Sequence, residues 1–108
     1  MQLMTHNVYV VELDPNILRQ DKKFVEANPN HNARMMCLYV GMTGLPPAER
    51  FKQHKAGYKA AMRVRKYGLR LVPGLYRDYN PMTYEVAVKR EEMLARQLQL
   101  KGYAVWQH

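Results

Sequence analysis

Residues 38–54 read LYVGMTGLPPAERFKQH, and this stretch predicts a strand, a turn and a helix in succession. Its first residues favour a strand that contains Tyr39, and the glycines and paired prolines that follow are typical of a turn. A helix is predicted over residues 46–57, because proline fits the first helical turn. Arg50 and His54 then lie on one helix face, since residues four apart are neighbours there. A tyrosine at a strand end and two cationic side chains indicate an anion site, for which phosphate is the obvious candidate.

The composition is typical of one ordinary globular domain. The chain has 108 residues, 47 % hydrophobic and 24 % charged, so we expect a single domain with one core over residues 1–108. No apolar run approaches the ~20 residues of a membrane-spanning helix, and the N-terminus lacks the features of a signal peptide. Cys37 is the only cysteine and cannot form an internal disulfide. We therefore expect a cytoplasmic protein without membrane association, in which Cys37 is a buried thiol.

The charge is strongly basic and unevenly distributed. The formal net charge is +8, and no acidic residue occurs between Arg50 and Arg77. Such a block of one sign attracts polyanions, which favours nucleic acid or another phosphate-rich partner over a merely solvated basic face. The residues predicted to contact nucleic acid are Lys52, Lys55, Lys59, Arg63, Arg65 and Lys66.

Residue preferences and turn signals predict the remaining elements before the last helix. They are a strand at 7–13, a helix at 17–27, a strand at 35–40, a helix at 59–66, an edge strand at 69–75 interrupted by Pro73, and a closing strand at 103–106. The first two strands read as a hairpin that is opened by an insert at about 14–34. Long connections of this kind are often functional, and whether this one contacts DNA, a partner or neither is left open.

The last helix carries a carboxylate on its apolar face. It is predicted from about residue 80 to 101, with Asn80 as N-cap, and Ala87 and Leu94 belong to its packing face. Glu91 lies between them on the same face. A carboxylate there is costly unless it is paired or bound to a cation. Two interpretations stand beside each other: a glutamate at the edge of the core that pairs with an arginine, and a ligand of Mg²⁺.

These residues resemble the GIY-YIG nuclease domain. Asn7-Val8-Tyr9 on the first strand is similar to its first tripeptide, and Tyr39-Val40-Gly41 on the second strand is similar to its second. Arg50 and His54 match the family's arginine and histidine on the following helix. Glu91, which closes the run Ala-Val-Lys-Arg-Glu, matches its metal-binding glutamate. The departures are Asn7 in place of glycine, the insert, and the prolines of the turn.

The resemblance implies an α/β fold, an α+β sandwich with a small, largely antiparallel three-stranded sheet flanked by helices. It implies a metal-dependent endonuclease that hydrolyses a phosphodiester bond, in DNA by preference, to 5′-phosphate and 3′-hydroxyl ends. The catalytic residues it implies are Tyr9, Tyr39, Arg50, His54 and Glu91. Glu91 would hold Mg²⁺ or Mn²⁺, Arg50 the scissile phosphate, and Tyr9 the attacking water, while Tyr39 and His54 complete the pocket.

Other interpretations of the same residues remain. The tyrosines are also compatible with ordinary strand aromatics, and Arg50 and His54 with solvated helix residues. The chain could then be a catalytically inactive nucleic-acid-binding domain on the same fold, or a module that binds an acidic protein. A homodimer or a protein partner could supply recognition, because no dedicated reading domain is attached.

Overall fold

A sheet of four strands is the centre of the fold in the computed structural model, which describes residues 3–108. The strand order is β3-β1-β2-β4. The strands are β1 (Asn7–Leu13), β2 (Cys37–Thr43), β3 (Gly68–Leu71) and β4 (Ala104–Gln107). The expectation of a three-stranded sheet is therefore wrong. β4 pairs with β2 in parallel, and it covers a buried strand that would otherwise present an unpaired apolar edge.

The long antiparallel pair of β1 and β2 determines which side chains share a face. Tyr9 lies opposite Gly41, and Val11 lies opposite Tyr39. Because side chains alternate along a strand, Tyr9 and Tyr39 point to the same face of the sheet. β3 pairs antiparallel to the other edge of β1 with a register shift, and it ends before Pro73, which begins a 3-10 turn instead of continuing the predicted strand.

Within the described residues, five helices surround the sheet. They are α1 (Ile17–Gln20), α2 (Lys22–Glu26), α3 (Pro47–Ala56), α4 (Met62–Tyr67) and α5 (Tyr84–Leu100), with 3-10 turns at Pro73–Leu75 and Arg77–Tyr79. α3 ends because Gly57 adopts the left-handed conformation, with φ of 86°. α5 lies along β2 and β4. No helix among residues 3–108 has the length and apolar character needed to cross a membrane.

The helix α5 begins later than the sequence predicts. Its N-cap is Thr83, whose hydroxyl accepts the N–H of Val86. Asn80, the predicted cap, serves β1 instead. Its side-chain amide accepts the Val8 N–H and donates to the Val8 carbonyl, both at 2.8 Å. Val8 lies outside the part of β1 that pairs with β3. The Asn80 side chain therefore supplies the hydrogen bonds that a neighbouring strand would otherwise make with Val8.

The insert forms two short helices instead of the one predicted over residues 17–27. Asp21 separates them, because its backbone is extended and its carboxylate accepts the Phe24 N–H to cap α2. The same carboxylate accepts two hydrogen bonds from Arg63 of α4, at 2.7 and 3.2 Å. This ion pair fastens the insert to α4.

Asn28 joins the insert to β4. Its side chain donates to the Val105 carbonyl at 3.1 Å and accepts the Val105 N–H at 2.7 Å. It also donates to the Phe24 carbonyl and accepts from Gln99. We call the contacts of residues 21–28 with α4 and β4 the insert edge. The insert edge occupies hydrogen-bonding groups of β4 that would otherwise be open to another chain.

Cys37, the first residue of β2, is the buried thiol that the sequence predicts. Its exposed fraction is 3 %. Burial, with smaller contributions from the nearby charges of Asp14 and Glu12, raises the pKa of this thiol to about 11. A thiol of high pKa is a weak nucleophile at neutral pH, so Cys37 is a packing residue.

Candidate active site

A small cavity of about 150 Å³ opens on the tyrosine face of the sheet. Four of the five residues that the resemblance implies as catalytic line it, although they come from β1, β2 and α3. The lining residues are Tyr9, Tyr39, Met42, Arg50, His54, Lys59, Ala60, Ala61 and His108. The fold thus brings together side chains that belong to separate elements of the sequence.

Tyr9 and His54 form a buried hydrogen bond of 2.8 Å between Oη and Nε2. The Ala61 N–H donates to the other ring nitrogen, Nδ1, at 3.0 Å. Because an amide N–H can only donate, Nδ1 carries no proton, and Nε2 carries it and donates to Tyr9. His54 is only 1 % exposed, and burial, followed by the charge of Arg50, lowers its pKa to about 4. His54 is therefore neutral and holds the Tyr9 hydroxyl in place.

Gly41 has no side chain, and this leaves space for the Tyr9 hydroxyl. A Cβ atom at this position would lie 2.6 Å from Tyr9 Oη and 3.0 Å from Tyr39 Cε1. Real Cβ atoms do not approach other atoms so closely, so the ring of Tyr9 lies across a position that only glycine can fill. Packing of the Tyr9 ring therefore requires glycine at the third position of the Tyr-Val-Gly run.

Both tyrosines keep their phenolic protons at neutral pH. Burial, with a smaller contribution from the charge of Glu91, raises the pKa of Tyr39 to about 12. The pKa of Tyr9 is raised more strongly, by burial and by Tyr39, while Arg50 lowers it. Either hydroxyl can thus orient a water molecule, but neither is a base at neutral pH without added positive charge.

Arg50 holds the loop at the mouth of the cavity. Its Nη1 donates to Gln53 Oε1 at 3.1 Å and to the Tyr58 carbonyl at 3.3 Å, and its Nη2 donates to the Lys59 carbonyl at 2.7 Å. A guanidinium has five N–H donors. Within residues 3–108, two of the five have no acceptor, which leaves a pair of donors for a phosphate.

Glu91 is a buried carboxylate without a partner. It lies on the buried face of α5, as the sequence predicts, with an exposed fraction of 7 %. Among residues 3–108 no hydrogen bond or ion pair reaches it, so it is not a glutamate paired with an arginine. Burial raises its pKa to about 7. Its charge contributes to the raised pKa of both Tyr9 and Tyr39, but Glu91 is not among the residues that line the cavity.

The surroundings of Glu91 fit a lone-carboxylate cation site. No group of three or more His, Cys, Asp or Glu side chains that could hold a metal occurs within the described part of the chain, so a cage made wholly of protein ligands is absent there. Mg²⁺ is commonly held by one or two carboxylates while water and substrate phosphate fill its other positions. An unpaired carboxylate that is buried but not fully enclosed, with an exposed fraction of 7 %, suits this mode of binding.

Two of the predicted nucleic-acid contacts already have partners within the protein. Arg63 belongs to the ion pair of the insert edge, and its guanidinium lies 3.6 Å from the centre of the Trp106 ring. Lys55 Nζ donates to the carbonyls of Arg65 and Gly68, at 3.0 and 2.9 Å, and so closes the end of α4.

The other four basic residues face solvent. Lys52, Arg65 and Lys66 are exposed on α3 and α4. Lys59 lines the cavity, and its φ of 43° is left-handed, which is unusual for a residue with a side chain. The hydrogen bond from Arg50 to its carbonyl holds this conformation. The basic surface next to the cavity therefore consists of Lys52, Lys59, Arg65 and Lys66.

Sequence reasoning missed two groups at the site. Ala61 contributes only its backbone N–H, which fixes the form of His54. His108 lies with Nδ1 3.4 Å from Tyr39 Oη, although the sequence offered no ligand spacing for it. No local pattern marks either residue, because each reaches the cavity through tertiary pairing.

Comparisons with protein-family models, with curated proteins and with solved structures found no match to this chain. The resemblance to GIY-YIG nucleases therefore rests on the residues already described and remains a prediction.

Proposed function

We propose that the chain is a metal-dependent endonuclease of the GIY-YIG type, which hydrolyses a phosphodiester bond of DNA and leaves 5′-phosphate and 3′-hydroxyl ends. One observation carries the proposal: Tyr9, Tyr39, Arg50 and His54 line a single cavity, and Glu91 on α5 is a buried carboxylate without a partner among residues 3–108. Buried unpaired charge is costly, and perturbed ionisable groups that converge in a cavity are characteristic of active sites.

The tyrosines would position the attacking water. His54 donates to Tyr9 Oη and so directs the hydroxyl's own proton and second lone pair into the cavity. Arg50 already lowers the pKa of Tyr9, and a bound phosphate would align with its two remaining donors. Mg²⁺ or Mn²⁺ held by Glu91 would supply Lewis acidity and further positive charge. Tyr39 would hold the water or phosphate from the neighbouring strand.

The exposed cations beside the cavity would bind the DNA backbone. Lys52, Lys59, Arg65 and Lys66 form a surface of one sign on α3, α4 and the loop between them. Contacts of this kind bind phosphate without reading sequence and weaken steeply with salt. We infer a substrate recognised by its structure, such as branched, flapped or nicked DNA, with a second copy or a protein partner adding selectivity. A cytoplasmic location remains a prediction.

An inactive nucleic-acid-binding domain, or a module for an acidic protein, would use the same basic surface. Neither needs Glu91, because a carboxylate near the cavity repels phosphate unless a cation lies between them. Glu91 is thus the residue that separates an enzyme from a binding module.

The test is cleavage of supercoiled plasmid in Mg²⁺, Mn²⁺ or EDTA by wild type, Glu91→Gln and Glu92→Gln. Glu92 is the matched control, since it neighbours Glu91 on α5 but is exposed and lies 3.6 Å from Arg96. We expect metal-dependent nicking by wild type and Glu92→Gln, and a loss of at least about a thousandfold in Glu91→Gln. Equal traces in all three proteins, or no cleavage of plasmid, branched DNA and RNA, would overturn the proposal.

A further inference from the structure

The fourth strand brings a second histidine to the cavity. β4 pairs with β2 so that Trp106 lies opposite Tyr39 and Gln107 opposite Val40. The His108 N–H continues the pairing by donating to the Val40 carbonyl at 3.1 Å. Because side chains alternate along a strand, His108 follows Trp106 on the face that carries Tyr39. β4, the strand that a three-stranded sheet would not include, thus places the imidazole of His108 at the site.

His108 connects the cavity with solvent. Its side chain lines the cavity, its Nδ1 lies 3.4 Å from Tyr39 Oη, and the residue is exposed. Its other ring nitrogen, Nε2, has no hydrogen-bond partner within residues 3–108. The other titratable or charged side chains that line this cavity are Tyr9, Tyr39, Arg50, His54 and Lys59.

The two imidazoles of the cavity are in opposite situations. His54 is buried and both of its nitrogens are occupied, one by the Ala61 N–H and one by Tyr9. It cannot take up a proton at Nδ1 without losing the bond from Ala61. His108 has one nitrogen at Tyr39 and the other open to water. A neutral imidazole has one donor and one acceptor nitrogen, and of the two cavity histidines only His108 has one nitrogen at a tyrosine hydroxyl and is itself exposed to solvent.

We propose that His108 is a proton relay, which acts through Tyr39 and carries a proton from the cavity to solvent during phosphodiester hydrolysis. The inference rests on the proposed function. The attacking water loses a proton to Tyr39 Oη as its oxygen bonds to phosphorus, and the proton of Tyr39 passes to His108 Nδ1. The bond from phosphorus to the 3′ oxygen breaks, and that oxygen takes a proton from water. His108 releases its Nε2 proton to solvent, and exchange through water then moves the remaining proton from Nδ1 to Nε2, which restores both residues.

The first experiment compares kcat and KM for plasmid cleavage across pH in wild type, His108→Asn and Gln107→Asn. The asparagine side chain of His108→Asn can still bond to Tyr39 but cannot carry a proton. We expect kcat of His108→Asn to fall about a hundredfold with KM nearly unchanged, as for loss of a proton-transfer group. Free imidazole added to the buffer should restore part of the rate. Gln107→Asn, the exposed neighbour on β4, should behave as wild type. A rate of His108→Asn equal to wild type, or a loss that imidazole does not relieve, would overturn the relay.

The second experiment needs no activity. Nitrogen NMR shifts of the His108 ring are followed against pH, without metal, in wild type and in Tyr39→Phe. We expect the Nδ1 shift to change when the Tyr39 hydroxyl is removed, and an unchanged spectrum would contradict the contact. A wild type that cleaves no nucleic acid overturns the proposed function and the relay together. A wild type that cleaves while His108→Asn cleaves equally well overturns the relay alone.

Discussion

Asp21 at the insert edge and Glu91 at the candidate site have pKa values that are shifted in opposite directions. At the insert edge, burial raises the pKa of Asp21, but the hydrogen bonds from Arg63 and the backbone outweigh it and lower the pKa below its usual value. On α5, nothing within residues 3–108 offsets the burial of Glu91, and its pKa rises to about 7. The surroundings of Asp21 stabilise its ionised form, whereas those of Glu91 destabilise it.

The difference separates a structural region from a candidate functional one. Asn28 at the insert edge uses both its donors and its acceptor, so the buried amide is satisfied. The insert thereby closes one edge of the sheet. The candidate site instead combines two tyrosines of raised pKa in the cavity with Glu91, a buried carboxylate of α5 that has no partner among residues 3–108. A fold keeps such groups at a cost in stability, and the cost is understandable where a ligand later pairs with them.

The largest expected effect on stability comes from breaking the insert edge at Asn28. Asn28→Ala leaves the buried N–H and carbonyl of Val105 without partners, so we expect the free energy of unfolding to fall by about 3 kcal/mol. Asn30→Ala in the same loop is the control, because Asn30 is exposed. Urea unfolding followed by circular dichroism measures both. Similar losses in the two variants would mean that Asn28 does not close the sheet.

Asp21→Ala should have the next largest effect. It removes the N-cap of α2 and the charged partner of Arg63, which together contribute about 2–3 kcal/mol. Asp21→Asn sharpens the test, because asparagine caps a helix but does not carry the charge, and it should recover roughly 1 kcal/mol. The measurement is again urea unfolding. If both variants matched wild type, the ion pair would contribute nothing to the stability of the insert edge.

Glu91→Gln should change stability in the opposite direction. At pH 8 in metal-free buffer it removes the cost of a buried charge, and we expect the free energy of unfolding to rise by about 2 kcal/mol. Glu92→Gln should change it by less than about 0.5 kcal/mol, as for an exposed position. A less stable Glu91→Gln protein would show that the carboxylate is a structural partner after all, and the contrast with Asp21 would disappear.

Most of the local structure, and the burial of Glu91, could be predicted from the sequence. Strand β1 has the bounds that the sequence predicts, because its Val-Tyr-Val run has a strong strand preference and a proline soon follows. The burial of Glu91 followed from helical periodicity alone. These features depend on residues within one or two turns of each other, and such patterns are legible in a single sequence.

Features that depend on distant partners were not predictable. Asn28 and Asn80 both read as loop or cap residues, yet each bonds to a strand more than 70 positions away. His108 meets the cavity only because β4 returns in parallel along β2. A side-chain amide that pairs with a strand has the same sequence signature as one that begins a helix or a turn. Tertiary pairing decides between these roles.

The smallest expected effect concerns the pH dependence of stability in metal-free buffer. Glu91 binds a proton in the folded chain up to pH about 7 but in the unfolded chain only up to 4.5, so its contribution falls as pH rises between these values. His54 stays neutral in the folded chain down to about 4 but is protonated below 6.5 when unfolded, so its contribution rises with pH. The two slopes oppose each other.

Wild type should therefore vary by less than about 1 kcal/mol between pH 4.5 and 6.5. Glu91→Gln removes the Glu91 contribution, which falls with pH, and leaves the His54 contribution, which rises with pH. The unfolding free energy of this variant should therefore rise by up to about 1.4 kcal/mol per pH unit. Urea midpoints at several pH values measure both curves, with Glu92→Gln as control. Parallel curves for wild type and Glu91→Gln would mean that Glu91 is ionised alike in the folded and unfolded chain. Glu91 would then not be a destabilised carboxylate, and the contrast between the candidate site and the insert edge would rest on His54 alone.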